Sequence, residues 1–554
     1  MEEKSKSSNF IEQIIDKDIA ERIDKKRLRF RFPPEPNGYL HIGHVKAACL
    51  NFNLGQRYNA PVNLRFDDTN PQNEEIKYVQ AIKKDLKWLG YDWDKECYAS
   101  DYFEQLFQWA LFLIDKDMAY VDSQSSDVIA QQKGTPTKHG ILSPNRSRSR
   151  EDNHRLFIEM SKGVHPEGAH VLRAKIDMSS PNMLMRDPII YRVLNKPHHR
   201  TGTKWKVYPM YDWTHGESDY IEQISHSLCT LEFKPHRELY NWFLEEIPTK
   251  DIVPKQTEFA RLNLSFTVTS KRKLKKLVDE NYVSGWDDPR MPTISGLRRR
   301  GYTPESLKQF VKTAGIAKRE NVIELSLLEF CLRDHLNKIA PRVNAVLNPI
   351  KLTIINYNKS EEWLDGEINP EKPNLGYRKI PFSKNLYIER EDFKEEANKK
   401  FFRLTIGKEV RLKNGYIIKG ESFEKDKNGN VTEVFCTYDK DSKSGSGSEA
   451  SKRKVKGTLH WVSQKHALKI RVNIYDRLFF DPSPDQHKEK DFLDFVNPNS
   501  LKVTTAYVEP CVSDAKPGQC FQFQRLGYFN VDKESKKLDL IFNKTVGLRD
   551  NWSK

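Results

Sequence analysis

Apolar positions along the chain keep two rhythms, a helical one with short strand-like runs up to about residue 340 and a two-residue alternation beyond it. Residues 1–26 place Ile11, Ile14, Ile15 and Ile19 on one side, which predicts a short amphipathic helix. "RLRFRF" (27–32) alternates basic and apolar residues and reads as a strand, and "VNLRFDD" (62–68) as a second. Helix signals follow His41 and return over 74–90, where Ile76, Val79, Ile82, Leu86 and Leu89 share a face and Gly90 is the stop. Strand, helix, strand, helix within the first 90 residues predicts a parallel α/β sheet.

Residues 101–209 break this order with helices and strand-like pieces such as "HVLRAKIDM" (170–178), as an inserted domain would. "KWKVYPMYDWTH" (204–215) reads as a return to the sheet. From about 263 to 340 the pattern is helical: Thr303-Pro304 is an N-cap followed by proline at the first helical position, and "SLLEFCLRDHL" (326–336) is amphipathic. After about 345, "FRLTIGKEVRL" (402–412), "VTEVFCTYD" (431–439), "TLHWVS" (458–463), "LKIRVNIYD" (468–476) and "LDLIF" (538–542) alternate, with turn signals such as Asn428-Gly429, and predict all-β barrels or sandwiches. "DSKSGSGSEASKRK" (441–454) reads as a flexible surface loop.

Length and charge narrow the partners. A chain of 554 residues is several domains long. Lys and Arg number 92 against 77 Asp and Glu, a formal net charge of +15, which suits a polyanionic partner such as nucleic acid and equally a generally basic soluble protein. Seven cysteines, an odd number without C-x-x-C spacing, predict reduced thiols in a cytoplasmic protein and no structural zinc. "MEEKSKSSNF" lacks an apolar signal core and no run of 18 apolar residues occurs, so neither export nor membrane insertion is expected.

"PPEPNGYLHIGHVKAA" (33–48) carries the first chemistry. Prolines and glycine lock a turn, and a helix then opens with His41 and His44. A helix N-terminus offers free N–H groups and a positive dipole end, Gly43 allows close approach of backbone, and both imidazoles can donate to phosphate oxygens. "TSKRKLKK" (269–276) is the second piece, with Ser270 and Lys271 ahead of a cationic run that could pair nucleotide phosphates or simply be a solvated face.

Taken together these pieces resemble the HIGH and KMSKS-type motifs of class I aminoacyl-tRNA synthetases. "LRFDDTNP", "YPMYD", "THGESD", "HSLCTLEF", "EFARLNL", "GWDDPRMPTISGLRRRGYTPES" and "NKTVGLRDNW" extend the resemblance, from about residue 9 to 553, to the glutaminyl-tRNA synthetases of bacterial type. The resemblance implies a Rossmann-like catalytic domain in two halves (27–100 and 210–262) after an N-terminal helix (1–26). It also implies an inserted acceptor-stem-binding domain (101–209), a helical subdomain with the KMSKS-like loop (263–344) and two anticodon-binding β-barrels (345–554). It implies ATP with Mg²⁺, L-glutamine and tRNA(Gln) as partners, no resident metal, and a monomer.

The roles implied residue by residue are these. Pro34, Glu35, Pro36 and Asn37, then His41, Ile42, Gly43, His44, Val45, Lys46 and Ala47, line the ATP site, completed by Thr230, Arg261 and Leu262. Thr269, Ser270 and Lys271 act on the phosphates, and His41, His44 and Lys271 count as catalytic. Asp67 holds the α-ammonium of glutamine. Tyr211 faces its side-chain amide, with Arg31, Glu74 and Gln256 fixing the hydroxyl as an acceptor and Cys229 leaving the pocket without a second cation. Lys318, Arg319, Arg342, Arg403, Arg411, Gln522 and Arg525 face the tRNA. Two departures stand out: Val268-Thr269 replace the usual Met before Ser-Lys, and Pro235 stands where several relatives carry an acid facing the acceptor stem. Against the glutamyl enzymes of archaeal or eukaryotic type, Asn37 replaces their Ser and Cys229 their Arg. Against a non-catalytic RNA-binding paralogue, His41, His44, Lys271 and Asp67 are intact.

Overall fold

The computed structural model describes residues 8–72, 74–249, 252–398 and 400–550. The chain divides into two compact units, residues 1–263 with 311–323 and residues 264–310 with 324–554.

In the first unit, helix α1 (Phe10–Glu21) is opened by a reciprocal Asn9–Glu12 capping box and buries Ile11 and Ile15; residues 1–7 of the helix expected over 1–26 lie outside the described residues. Strand β1 (Phe30–Phe32) pairs in parallel with β2 (Val62–Phe66), and β2 with β3 (Glu96–Tyr98), through crossover helices α2 (Ile42–Tyr58) and α3 (Ile76–Trp88). A second parallel pair, β8 (His226–Thr230) with β9 (Lys255–Phe259), lies beside β1, where Ser225 N–H donates to Arg29 O at 3.0 Å. All of β1 is buried, so the alternation read in "RLRFRF" leaves Arg27 exposed and Arg29 half-buried ahead of the strand but does not put Arg31 in solvent; a parallel strand covered on both faces buries it.

Between these halves, α4 (Phe103–Asp115) and α6 (Arg150–Ser161) pack on a four-stranded antiparallel sheet of β4 (Ala119–Asp122), β5 (Val171–Ala174), β6 (Ile189–Val193) and β7 (Val207–Pro209). The stretch 204–215 therefore does not rejoin the parallel sheet. Tyr208 pairs with Arg192 as the last antiparallel strand, Tyr211 opens helix α7 (Tyr211–Ile221), and the parallel sheet resumes only at β8. A short apolar run looks the same in either kind of sheet, so the pattern could not tell them apart.

In the second unit, α9 (Lys271–Asp279) packs Leu274 and Leu277 in one apolar cluster with Val268, Leu478, Phe479, Phe492 and Phe495. Two seven-stranded sheets follow. One begins and ends on 342–343 and 345–346, strands separated by Asn344 alone; the other begins and ends on 458–459 and 461–463, separated by His460 alone. Edges one residue apart curl each sheet into a nearly closed barrel. Gly429, at φ 81°, turns the hairpin between 417–425 and 431–439 as Asn428-Gly429 predicts. The 441–454 segment, expected to be flexible, is instead tied down. Arg411 donates Nη1 to Ser442 O at 2.9 Å and Nη2 to Ser451 O at 2.9 Å and Arg453 O at 3.2 Å, and Ser448 caps a helical turn at Glu449–Lys452.

Candidate functional site

The "HIGH" stretch forms its own cap. His41 is the extended N-cap residue of α2, its Nδ1 accepting the Gly43 N–H at 3.1 Å; His44 is the third helical residue, its Nδ1 accepting the His41 N–H at 3.1 Å. A nitrogen that accepts carries no proton, so each neutral ring bears its hydrogen on Nε2. A Cβ on Gly43 would sit 2.9 Å from the His41 ring, which is why glycine stands there. The helical period then sorts the segment. His41, Gly43, His44 and Ala47 are half-buried, whereas Ile42, Val45 and Lys46 are buried and face the core. Lys46, one of the residues expected to line the ATP site, sends Nζ to Ala260 O at 2.7 Å, and burial lowers its pKa. The "PPEPN" turn rests on the end of β2, where Pro34 O accepts Asp67 N–H at 3.3 Å and Glu35 accepts from Asn37. Thr230 donates to Glu232 at 3.3 Å, Arg261 is held by Glu232, Asn263 and Glu320, and Leu262 is buried.

Beneath this face lies a buried charge network. Arg31 donates Nε to Asp219 Oδ1 at 3.0 Å, Nη1 to Leu228 O at 2.9 Å, and Nη2 to Ser227 Oγ at 2.7 Å, with His215 Nε2 2.8 Å and Cys229 Sγ 3.6 Å from Nη2. Arg65 donates to Asp219 at 2.8 Å, Asp67 at 2.8 Å and Glu222 at 3.2 Å. Burial alone would raise the Asp219 pKa, but Arg31 and Arg65 outweigh it and hold the carboxyl far below the ordinary value. Burial wins at Asp67, whose carboxyl is pushed up to about 6 against Arg65, and its Oδ2 is buried without a hydrogen-bond partner. Burial also takes the Tyr211 hydroxyl well above its usual value and His215 down to about 3. Tyr211 stacks obliquely near His215 and Phe233, with ring centroids 5.2 and 5.6 Å away.

The expected Arg31–Glu74–Gln256 network is not what joins these residues. Gln256 donates to Phe233 O and Glu258, each at 3.0 Å, with its own Oε1 buried and unpartnered. Glu74 accepts Asn70 N–H at 2.8 Å and keeps Oε2 3.8 Å from His198 Nε2, with burial raising its carboxyl to about 9. Beside it, Asp68, His198 and His199 form, among the described residues, the one group with three metal-type donor atoms within 4.8 Å. His198 donates Nε2–H to Asp68 O at 2.8 Å and accepts Arg200 and Thr201 N–H on Nδ1, so its ring has no lone pair left for a cation.

Asp219, Arg65 and His215, which complete the buried network around Arg31, were not among the residues the sequence singled out. The signal was present: an arginine in each of two strands that are buried on both faces demands a carboxylate partner, and His215 and Asp219 lie four apart on α7.

In the second unit, Ser270 is the N-cap of α9 and Lys271 its first residue, while Thr269 is half-buried and Val268 anchors the loop in the apolar cluster. Of the expected RNA-facing residues in that unit, Arg342 and Gln522 are register partners on parallel strands. Both reach the same group: Arg342 Nη2 bonds Asn337 Oδ1, and Gln522 Nε2 bonds Tyr528 OH, which donates to Asn337. Arg403 and Arg525 meet on Asp392. Arg411 spends its guanidinium on the 441–454 segment. In the first unit Lys318 lies over the Phe10 ring at 4.9 Å and Arg319 is exposed.

Comparison with known proteins gives the same grouping. A profile described as tRNA synthetases class I (E and Q), catalytic domain, matches residues 27–338, and two profiles of the anti-codon binding domain of that family match 340–439 and 458–532. A glutamine–tRNA ligase of Pseudoalteromonas atlantica is 53% identical over 100% of this chain and 99% of its own length, and one of Vibrio vulnificus is 53% identical over 99% and 98%. A crystal structure of a glutamate tRNA ligase from Elizabethkingia meningosepticum superposes with a TM-score of 0.42 at 16% identity, over 57% of this chain and 70% of that one. With a catalytic profile over more than half its length and relatives 53% identical from end to end, the chain belongs to the class I tRNA synthetases of the E and Q group, in the branch of the bacterial glutamine–tRNA ligases.

Proposed function

We propose that this chain attaches L-glutamine to tRNA(Gln) at the expense of ATP. The observation that carries the reading is the identity of 52–53%, over 98–99% of their lengths, with relatives named glutamine–tRNA ligases. The glutamine carboxylate attacks the α-phosphate of ATP, taken as its Mg²⁺ complex, and pyrophosphate leaves. The 2′-hydroxyl of the terminal adenosine then attacks the acyl carbonyl and AMP leaves. Neither step needs a protein nucleophile; placement and charge stabilisation do the catalysis.

The geometry and the resemblance support the following residue roles. His41 and His44, with Nδ1 committed to the cap, present Nε2–H to phosphate oxygens at the positive end of α2. Lys271 stabilises charge on the phosphates. The unpartnered Oδ2 of Asp67 suits the α-ammonium of glutamine. Arg31 commits Nε and Nη2 to Asp219, Ser227 and His215 and Nη1 to Leu228 O, and its charge is already matched by Asp219, which disfavours pairing with a carboxylate side chain. Gln256 Oε1 offers an acceptor for an amide N–H, and Tyr211 borders the pocket. Acceptors in a buried pocket leave a glutamate side chain unpaired, and such a mismatch is worth about 10⁴-fold or more in selection. The inserted domain is assigned to the acceptor end, and the two barrels, with Arg342, Arg403, Gln522 and Arg525, to the anticodon. The protein is assigned to the cytoplasm as a monomer.

Total tRNA charged in parallel with labelled glutamine and labelled glutamate tests the reading. Incorporation of glutamine only is expected; preferential incorporation of glutamate would give the glutamyl alternative, and neither label the non-catalytic one.

A further inference from the structure

Arg403 and Arg525 come from different barrels and converge on one carboxylate. Asp392, closing a short 3₁₀ turn at Arg390–Asp392, is fully buried. Its Oδ2 accepts Arg525 Nη1 at 2.6 Å, and its Oδ1 accepts Arg525 Nη2 at 2.7 Å and lies 3.2 Å from Arg403 Nη1. Arg525 is thus held by both tips of its fork. Arg403 commits only Nη1, shared with Glu391 O at 3.1 Å, and its side chain is 40% exposed. The brace continues behind Arg525. His460 Nδ1 lies 3.3 Å from Arg525 Nη1, and His460 Nε2 lies 3.6 Å from Glu389, whose oxygens accept Leu347 and Asn348 N–H.

Two guanidiniums this close repel one another, and each loses rotamer freedom when held. One buried carboxylate cancels one of the two charges and fixes both planes. The bidentate fork that recognises a base edge is already spent on Asp392 in Arg525 and is not in Arg403.

We propose that Asp392 is a positioning residue for RNA specificity: it aims Arg403 at one base of the bound RNA, and Arg525, held at both tips of its fork, is the brace that locks Asp392. This rests on the reading that the barrels receive the anticodon. It separates two quantities that a merely structural role would move together. Removing the carboxylate charge leaves the patch one charge more positive, so overall RNA affinity should hold or rise, while an Arg403 no longer aimed should lose its choice of base.

The test uses the full chain and two tRNA(Gln) transcripts, one normal and one with its central anticodon base changed. Dissociation constants at two salt concentrations and aminoacylation kcat/KM are measured for wild type, Asp392→Asn, Arg403→Ala, Arg525→Gln and the Asp392→Asn/Arg403→Ala double variant. Wild type should prefer the normal transcript. Asp392→Asn should lose about tenfold or more of that preference, the size of one base contact, with affinity for both transcripts equal to wild type or tighter. The double variant should discriminate no worse than Arg403→Ala alone, and Arg525→Gln should lose less than Arg403→Ala. Unchanged discrimination in Asp392→Asn, losses that add in the double variant, or equal weakening of binding to both transcripts would each overturn the assignment. Should Asp392→Asn not fold, Asp392→Glu keeps the charge and displaces it, and discrimination as strong as wild type in that variant would count against positioning. Wild type that charges both transcripts equally would instead remove the anticodon reading itself, and the assignment with it.

Discussion

Each histidine of "HIGH" spends Nδ1 on the helix that carries it, which sets the tautomer of both rings. In the buried network around Arg31 below it, side chains are likewise committed to one another. Cys229 lies 3.6 Å from Arg31 Nη2 and 3.8 Å from His215, a place where a neutral thiol adds no charge. Cys229→Arg would set a second cation beside the Arg31 guanidinium. Glutamine use should fall by about 10- to 100-fold and glutamate use rise relative to it, because a carboxylate can pair with the new guanidinium through two charged oxygens whereas an amide offers it one neutral oxygen and an NH₂ it repels. An unchanged ratio of the two in steady-state charging would take Cys229 out of the pocket. Glu217 on α7 makes the opposite case. Both its carboxyl oxygens are buried without a hydrogen-bond partner, and burial lifts its pKa well above the ordinary 4.5. The folded chain keeps a proton that the unfolded chain releases above about 4.5, so the stability of this region falls as pH rises past that value, by about 1.4 kcal/mol per pH unit for one proton. Glu217→Gln should lose that slope. Melting temperatures between pH 5.5 and 8 should drop less in the variant than in wild type, and parallel curves would show that the carboxyl is ionised in the fold.

At the scale of elements, what could be read in the sequence was whatever a local rule determines. The turn-then-helix at 33–48, the stop at Gly90, the cap at Thr303, where Oγ1 accepts Ser306 N–H, and the period-two strands after 345 all follow from neighbours in the chain. What depends on distant partners was not legible. The strand at 207–209 joined the antiparallel sheet, and the Gly/Ser/Lys stretch, polar enough to be a linker, was ordered by an arginine from another strand. Arg411→Ala should free that stretch. Trypsin should then cut among Lys443, Lys452 and Arg453 at least about tenfold faster, since cleavage follows the population of the open segment. Equal proteolysis in the variant would mean that the Ser448 cap and the Arg453 pairs to Glu409 and Asp439 hold the segment unaided.

For the molecule as a whole, the excess of positive charge should appear in one reaction and not in the other. Binding of tRNA should weaken by about 10- to 10³-fold between 50 and 200 mM salt, as counterions displaced from a few phosphates return, whereas ATP–pyrophosphate exchange should vary far less. Parallel salt curves for the two would exclude the charge as an RNA footprint. The way the two β sheets close also bears on the order in which the chain can fold during synthesis. Arg342 pairs with Gln522, and Ala345 with Val508, so both edges of the later barrel leave the ribosome long before their partners do. The earlier barrel is spared this wait, since its edges at 458–459 and 461–463 emerge last and find 409–412 and 385–389 already made. A chain halted near residue 500 should therefore hold one finished barrel and one with open strand edges, and it is that second, unfinished sheet that would recruit chaperones or aggregate.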